Sequence, residues 1–174
     1  MTNLWHDIHY GSEDKLNVII EIPSGSKDKY ELDKETGLIM LDRVLEVSMS
    51  YPGNYGFVPQ TLCEDKDPLD VILLTHSSLH PGVLVKARPV GLLNMVDGGE
   101  ADEKILAVPA DDPRFNEMKD IKHVPKAFLD EIYCGINLSH GISLVLPKYI
   151  HNLLNLLLFF VSFLLKYLIY GRYH

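Results

Sequence analysis

Short apolar stretches follow one another along the first 131 residues of the chain, and turn-forming residues separate them. Residues 16–22 are apolar and β-branched, which predicts a buried strand, and the Pro, Ser, Gly and Asp residues that follow predict a turn. Further strands are predicted at residues 29–33, 38–47, 71–75, 83–96 and 104–110. Many short strands at short spacing are typical of a small barrel or sandwich with one or two peripheral helices.

The polar positions within these strands refine the prediction. Alternation in residues 29–33 places Lys29, Glu31 and Asp33 on one face of a strand. Pro89 lies inside the strand predicted at 83–96, which indicates a bulge or an edge position. Helices are predicted only around residues 112–120 and, with a proline near the first turn, at residues 125–132.

The charge balance excludes some classes of function. The 174 residues are enough for one ordinary domain, and the net charge is −8. An acidic chain does not favour non-specific binding of nucleic acid, so we expect no nucleic-acid partner, whereas a site loaded with cations is compatible with this charge. Cys63 and Cys134 match neither a metal-binding spacing nor a disulfide framework, and residues 1–15 do not form a secretory signal. We therefore expect a reducing, cytoplasmic compartment.

The composition changes abruptly near residue 132. All 24 acidic residues lie at or before Glu131, and the only charged residues after it are Lys148, Lys166 and Arg172. We therefore expect a folded domain at residues 1–132 and a divergent apolar tail of uncertain structure at residues 133–174.

Three aspartates crowd the segment that leads into the strand at 71–75. Asp65, Asp67 and Asp70 occupy three of six successive positions. Carboxylates this close disfavour each other's ionisation, so the segment is either a solvated turn or a site filled by a cation. Pro68 breaks the regular alternation, which allows Asp70 to turn back towards the other two.

A second acidic pair flanks the sequence DGGEAD. Asp97 ends one predicted strand, two glycines follow, and Asp102 begins the next, so a hairpin brings both carboxylates together. Lys104 lies two positions further on, on the same strand face as Asp102. Hard carboxylate oxygens of this kind suit Mg²⁺ or Mn²⁺ better than zinc.

Each of these signals also has a simpler interpretation when it is taken alone. Aspartate-rich turns are usually solvated loops, Arg43 beside Asp42 fits a surface ion pair, and Tyr51 and Tyr55 fit the edge of a core. Their occurrence together with carboxylates and a lysine, all at strand ends of one small β domain, favours a functional site.

Several motifs in the same order identify a family resemblance. From about Trp5 to Ile132 the chain resembles the soluble family I inorganic pyrophosphatases. The motifs are VIIEIPSGSKDKYELDKETG, LDRVL, YPGNYGFVPQT, DKDPLDV, RPVGLLNMVDGGEADEKILAVP and KHVPKAFLDEI. Lys66 departs from the family pattern, which usually has a small or acidic residue at that position. The resemblance implies a mainly β (α+β) fold, with a five-stranded OB-like β-barrel and flanking helices.

The resemblance also implies an activity and the residues that perform it. The expected reaction is Mg²⁺-dependent hydrolysis of pyrophosphate to two phosphates, with Mn²⁺ or another divalent ion as a substitute. Asp65, Asp70, Asp97 and Asp102 match metal ligands, and Asp67 matches the base that helps to deprotonate the attacking water. The substrate-binding positions of the family are matched by Lys29, Arg43, Tyr55 and Lys104. Its supporting positions are matched by Glu21, Glu31 and Tyr51. Prokaryotic members of the family are often hexamers, so we expect a homo-oligomer.

The resemblance ends after Ile132. The Tyr-Lys pair that binds phosphate in the family is missing at the expected place, so an alternative function is a catalytically weak or inactive module that binds divalent cations or phosphate. For the tail, three hypotheses remain: a membrane anchor at residues 149–170, a buried replacement helix, and an out-of-frame product. Composition favours the last, so contact with a membrane is not the preferred hypothesis.

Overall fold

The computed structural model describes residues 2–63, 65–97 and 100–140, and it describes no side chain in the ranges 94–101 and 135–140. Strands dominate these residues. In chain order they are β1 (Gly11–Ser12), β2 (Lys15–Ile22), β3 (Asp28–Leu32), β4 (Ile39–Val44), β5 (Asn54–Val58), β6 (Leu69–Leu73), β7 (Leu84–Asp97) and β8 (Glu100–Pro109). Two short 3-10 helices, Pro113–Phe115 and Ile121–His123, precede the helix α1 (Lys126–His140).

Five of the strands close into a barrel. The order around it is β2, β5, β6, β8 and β7, and β7 pairs again with β2 to complete the circle. The pairing of β6 with β8 is parallel, and the other pairings of the barrel are antiparallel. Strands β3 and β4 form a separate antiparallel hairpin. The prediction of a mainly β fold with a five-stranded OB-like barrel is confirmed.

The alternation of β2 sorts its side chains between two hydrophobic clusters. Val18 and Ile20 are fully buried in the cluster that fills the barrel. Ile19 points the other way and packs against Trp5 and Phe57. A third cluster joins the strands to the 3-10 helices and to α1, which cover that side of the sheet.

A glycine allows β5 and β2 to approach each other closely. A Cβ atom added at Gly56 would lie 2.0 Å from the carbonyl oxygen of Ile19, which is far inside van der Waals contact. Only glycine therefore fits this position of the barrel wall.

Most of the predicted strands are present, with ends displaced by a few residues. The bulge predicted at Pro89 is confirmed, because the pairing of β7 with β8 shifts register between Pro89 and Gly91. Strand β5 was not predicted. Of the helix predicted around residues 112–120, the structure has one 3-10 turn at Pro113–Phe115, with Asp112 at its N-cap.

The helix predicted at residues 125–132 is the first part of α1, which continues to His140 and so crosses the expected domain boundary. Of the predicted tail at residues 133–174, only residues 133–140 are described, as the last part of α1, and residues 141–174 lie outside the described part of the chain. Among the described residues, no helix combines the length and the apolar character that a membrane span requires.

Candidate active site

A cavity of about 560 Å³ lies between the β3–β4 hairpin and the barrel. Its walls come from the ends of β2, β5, β6 and β8, from the hairpin, and from the aspartate loop, by which we mean residues 65–68 between β5 and β6. The predicted site residues that line it are Glu21, Lys29, Glu31, Arg43, Tyr51, Tyr55, Asp65, Asp67, Asp70, Asp102 and Lys104. Asp97 is the last residue of β7, and its side chain lies outside the described part.

The buried ammonium group of Lys104 joins three polar groups at the base of the cavity. Its Nζ lies 2.8 Å from Asp70 Oδ2, 2.9 Å from Asp102 Oδ1 and 2.8 Å from the Tyr55 hydroxyl. The parallel pairing of β6 with β8 places Asp70 beside Lys104, and Asp102 lies two positions before Lys104 on the same face. The predicted shared face of Asp102 and Lys104 is thereby confirmed.

The electrostatics of this group keep Lys104 charged. Burial opposes the charge, but Asp70, Tyr55 and Asp102 outweigh burial and hold the pKa of Lys104 well above its ordinary value. A permanent cation therefore links the carboxylates of β6 and β8.

Tyr55 and Tyr51 contribute two neutral phenols. The Tyr55 hydroxyl donates to Asp70 Oδ2 at 2.5 Å, and the two rings meet edge to face at 5.6 Å between centroids. Burial, followed by the charge of Asp70, raises the pKa of Tyr55 well above its ordinary value, and burial raises the pKa of Tyr51 to about 12. Both groups are hydrogen-bond donors near neutral pH.

The aspartate loop exposes Asp65 and Asp67 to the cavity. The backbone N–H of Asp67 donates to Asp65 Oδ1 at 2.9 Å, and Lys66 between them has a φ of 69°. This left-handed conformation favours Gly, Asn or Asp, which agrees with the small or acidic residue usual in the family pattern. Burial, and then the charges of Asp67, Asp70 and Asp102, raise the pKa of Asp65.

The hairpin supplies cations to the opposite wall. Lys29 and Arg43 are cross-strand partners in β3 and β4. Lys29 bonds to Glu31, which confirms that these two share a face, and Arg43 Nη1 lies 3.2 Å from Asp42 Oδ2. Arg43 therefore both forms the ion pair with Asp42 and lines the cavity, so the two interpretations of this residue are compatible.

Glu21 connects the barrel to this hairpin. Its Oε1 accepts a hydrogen bond from the backbone N–H of Leu32 at 2.8 Å. Burial, and then the charge of Asp70, raise the pKa of Glu21 to about 8, so the carboxyl group is mainly protonated at neutral pH.

Comparison with known proteins assigns the chain to a family. The model of the family described as inorganic pyrophosphatase matches residues 18–134, a range that contains every predicted site residue. The chain belongs to the inorganic pyrophosphatase family. A soluble inorganic pyrophosphatase of Oryza sativa subsp. indica is 53% identical over 130 residues, which are 74% of this chain and 61% of that protein. Soluble inorganic pyrophosphatase 3 of Arabidopsis thaliana is 54% identical over 130 residues, which are 74% of this chain and 60% of that protein.

Solved structures give the same family. The inorganic pyrophosphatase of Thermus thermophilus superposes with a TM-score of 0.83 at 36% identity, over 95% of this chain and 99% of that chain. The enzyme of Helicobacter pylori gives a TM-score of 0.83 at 39% identity, over 92% of this chain and 97% of that chain. The chain spans only about three-fifths of the length of the curated plant relatives.

Six residues that line the cavity were not among the predicted site residues: Trp5, Ile22, Tyr30, Leu32, Lys34 and Pro68. Lys34 forms an ion pair with Asp67, and its Nζ lies 5.8 Å from the centre of the Trp5 ring. A lysine in a hairpin turn carries no signal by itself, because its partner lies on another loop. Trp5 is the only tryptophan of the chain, which was the single signal that could have drawn attention to it.

Proposed function

We propose that the protein hydrolyses inorganic pyrophosphate to two phosphates and that it requires a divalent cation, Mg²⁺ or alternatively Mn²⁺. The observation that carries the proposal is the division of one cavity into two walls. The carboxylates of Asp65, Asp67, Asp70 and Asp102 lie on the barrel side, and Lys29 and Arg43 lie on the hairpin side. This arrangement suits a compact polyanion that arrives together with cations.

The carboxylate wall fits divalent cations by its chemistry. Its donors are hard oxygens, and burial, together with the neighbouring carboxylates, raises the pKa of Asp65, an energetic cost that a bound cation would relieve. Among the described residues, no three acidic, histidine or cysteine side chains already enclose an ion-sized space. Binding of a divalent cation would therefore require the side chains of Asp65, Asp70 and Asp102 to turn towards a common point. Asp97 and Asp102 would be ligands of a further ion.

We assign the other residues roles that agree with their positions in the cavity. When bound, divalent cations supply an acidified water and neutralise phosphate charge. Asp67 is half exposed at the cavity, which supports its proposed role as the acceptor of a proton from an attacking water. Lys29 and Arg43 bind the phosphate oxygens. The phenol of Tyr55 would have to exchange its hydrogen bond to Asp70 for one to a phosphate oxygen.

Lys104, Glu21, Glu31 and Tyr51 support these groups. Lys104 holds Asp70 and Asp102 on neighbouring strands, and Glu21 fixes the backbone of β3 next to the cavity. The alternative, a module that binds without turnover, has no support from the comparisons, because the curated relatives are named as soluble inorganic pyrophosphatases.

A cytoplasmic location and a homo-oligomer belong to the same proposal. Cys63 and Cys134 are free thiols, and the plant relatives carry the word soluble in their names. The hairpin also exposes several apolar side chains that a second copy of the chain could cover: Leu38, Met40, Leu41 and Val44.

The test of the function is release of phosphate from pyrophosphate by the purified chain. Turnover should rise with Mg²⁺, stop in excess EDTA and return when Mg²⁺ is restored. ATP and a phosphomonoester serve as comparison substrates. A folded sample that releases no phosphate at any Mg²⁺ concentration contradicts the proposal, and turnover that persists in EDTA contradicts the requirement for a cation.

A further inference from the structure

The ion pair between Lys34 and Asp67 crosses the cavity, because its two residues belong to opposite walls. Lys34 lies in the turn that joins β3 to β4, and Asp67 lies in the aspartate loop. Their side chains are 50% and 53% exposed. A pair this exposed contributes little to stability, so its main effect is on geometry.

The backbone of Asp67 is fixed, whereas its side chain depends on Lys34. The N–H of Asp67 donates to Asp65, and its carbonyl oxygen accepts from the N–H of Cys63 at 2.7 Å. Lys34 is the only cationic partner of Asp67 among the described residues, and it contacts Oδ1. No described residue bonds Oδ2.

Lys34 itself is held by three neighbours. In addition to Asp67, its Nζ donates to the carbonyl oxygen of Lys66 at 3.3 Å and lies over the ring of Trp5. Trp5 is anchored to the start of the segment that carries the loop, because its Nε1 donates to the carbonyl oxygen of Thr61 at 2.8 Å. The lysine is therefore in a defined place, although half of its surface is exposed.

We infer that Lys34 is a positioning residue of the pyrophosphatase site, which orients the carboxylate of Asp67 and sets the distance between the hairpin and the aspartate loop. This inference rests on the proposed function. It assigns Lys34 no contact with substrate, since Lys29 and Arg43 supply the cations for phosphate. Lys34 acts through Asp67, and its contribution should disappear when Asp67 cannot act as a base.

A double-mutant cycle tests this dependence at saturating Mg²⁺. Lys34→Ala should lower kcat about tenfold, the lower end of the range for a residue that orients another, and leave KM for pyrophosphate nearly unchanged. Lys34→Arg should restore kcat to within about threefold, since it keeps the charge but changes its geometry. In the Asp67→Asn background, Lys34→Ala should lower kcat by less than about twofold, because the two changes share one pathway.

The matched control is Lys15→Ala, which removes another exposed ion pair, Lys15 with Asp111 at 2.7 Å, whose residues do not line the cavity. It should leave kcat unchanged. If Lys34→Ala lowers kcat equally in both backgrounds, or mainly raises KM, the positioning role is wrong. If the unaltered chain releases no phosphate, the proposed function fails and this inference fails with it.

Trp5 gives a readout that does not depend on turnover. Its emission in metal-free protein should change in Lys34→Ala, because the cation leaves the ring, and in Asp67→Asn, because Lys34 loses its anchor. Lys15→Ala should leave the emission unchanged. An unaltered spectrum in Asp67→Asn would show that Asp67 does not hold Lys34, and would overturn the inference.

Discussion

The Nζ atom of Lys104 lies 2.8 Å from Asp70 Oδ2, and the lysine is almost completely buried while the aspartate faces the cavity. The parallel pairing of β6 with β8 creates this contact between residues that are distant in sequence. Lys104 therefore acts as the built-in counter-ion of a carboxylate wall that is otherwise short of positive charge.

Replacing Lys104 should destabilise the protein most when divalent cations are absent. Lys104→Met leaves the carboxylates of Asp70 and Asp102 without their cation, at a cost of about 2–4 kcal/mol once their partial exposure is considered. Added Mg²⁺ should recover part of this loss. The measurement is urea unfolding in EDTA and in Mg²⁺, with Lys15→Met as the exposed control. An equal loss in both buffers would contradict the counter-ion role.

Replacement of Asp67 and of Asp70 by asparagine should have different effects on turnover and on metal affinity. Asp67→Asn should lower kcat by about 10²-fold or more with little change in metal affinity, since it removes a positioned base. Asp70→Asn should weaken binding of Mg²⁺ and also lower stability, because the Asp70 side chain bonds to Lys104 and Tyr55. A Mg²⁺ titration of each variant, followed by measurement of kcat at saturating Mg²⁺, separates the loss of metal affinity from the loss of turnover. If both variants lose metal affinity equally, and Asp67→Asn turns over normally when it is saturated with Mg²⁺, the assignment of Asp67 as base and Asp70 as metal ligand is wrong.

Local patterns predicted the barrel strands well, but they did not predict contacts between distant elements. Residues 16–22 are apolar and β-branched, which predicted a buried strand, and β2 contains them. Strand β5 was missed because glycine and a polar residue interrupt its pattern. Tertiary contacts explain both residues. Gly56 makes room for Ile19, and the Asn54 side chain accepts hydrogen bonds from the N–H groups of Ser24 and Leu79.

The same limit applies to the site. Asp102 and Lys104 could be placed together from their spacing on one strand. The contact of Lys104 with Asp70 could not, because it depends on which strands lie side by side. Lys34 was missed for the same reason, since nothing near it in the sequence indicates Asp67.

Lys66 is a position where substitution should stabilise the protein. Its φ of 69° is unfavourable for a residue with an ordinary side chain, and Asn tolerates it better. Lys66→Asn should raise the free energy of unfolding by about 0.5–1 kcal/mol. Lys66→Ala keeps the Cβ atom without the polar group that relieves the strain, so it should give no gain. Equal effects of the two substitutions in chemical unfolding would show that the backbone conformation is not the cause.

Glu21 should make stability depend on pH in a direction opposite to that of a salt-bridged carboxylate. Its pKa is about 8 in the folded protein, against 4.5 for an ordinary glutamate, so the folded state holds an extra proton between these values. Unfolding releases that proton and becomes easier as the pH rises. The contribution of the buried acid is therefore fully present below about pH 4.5 and is lost as the pH rises through about 8.

The Glu21→Gln variant isolates this effect because the amide keeps an oxygen for the Leu32 N–H but cannot ionise. Relative to the variant, the unaltered protein should lose about 3–5 kcal/mol of unfolding free energy between pH 5 and pH 9. Urea unfolding in metal-free buffers across this range measures the difference, and the other titrating groups cancel because both proteins share them. A difference that stays constant with pH would mean that Glu21 ionises in the folded protein much as it does in the unfolded chain.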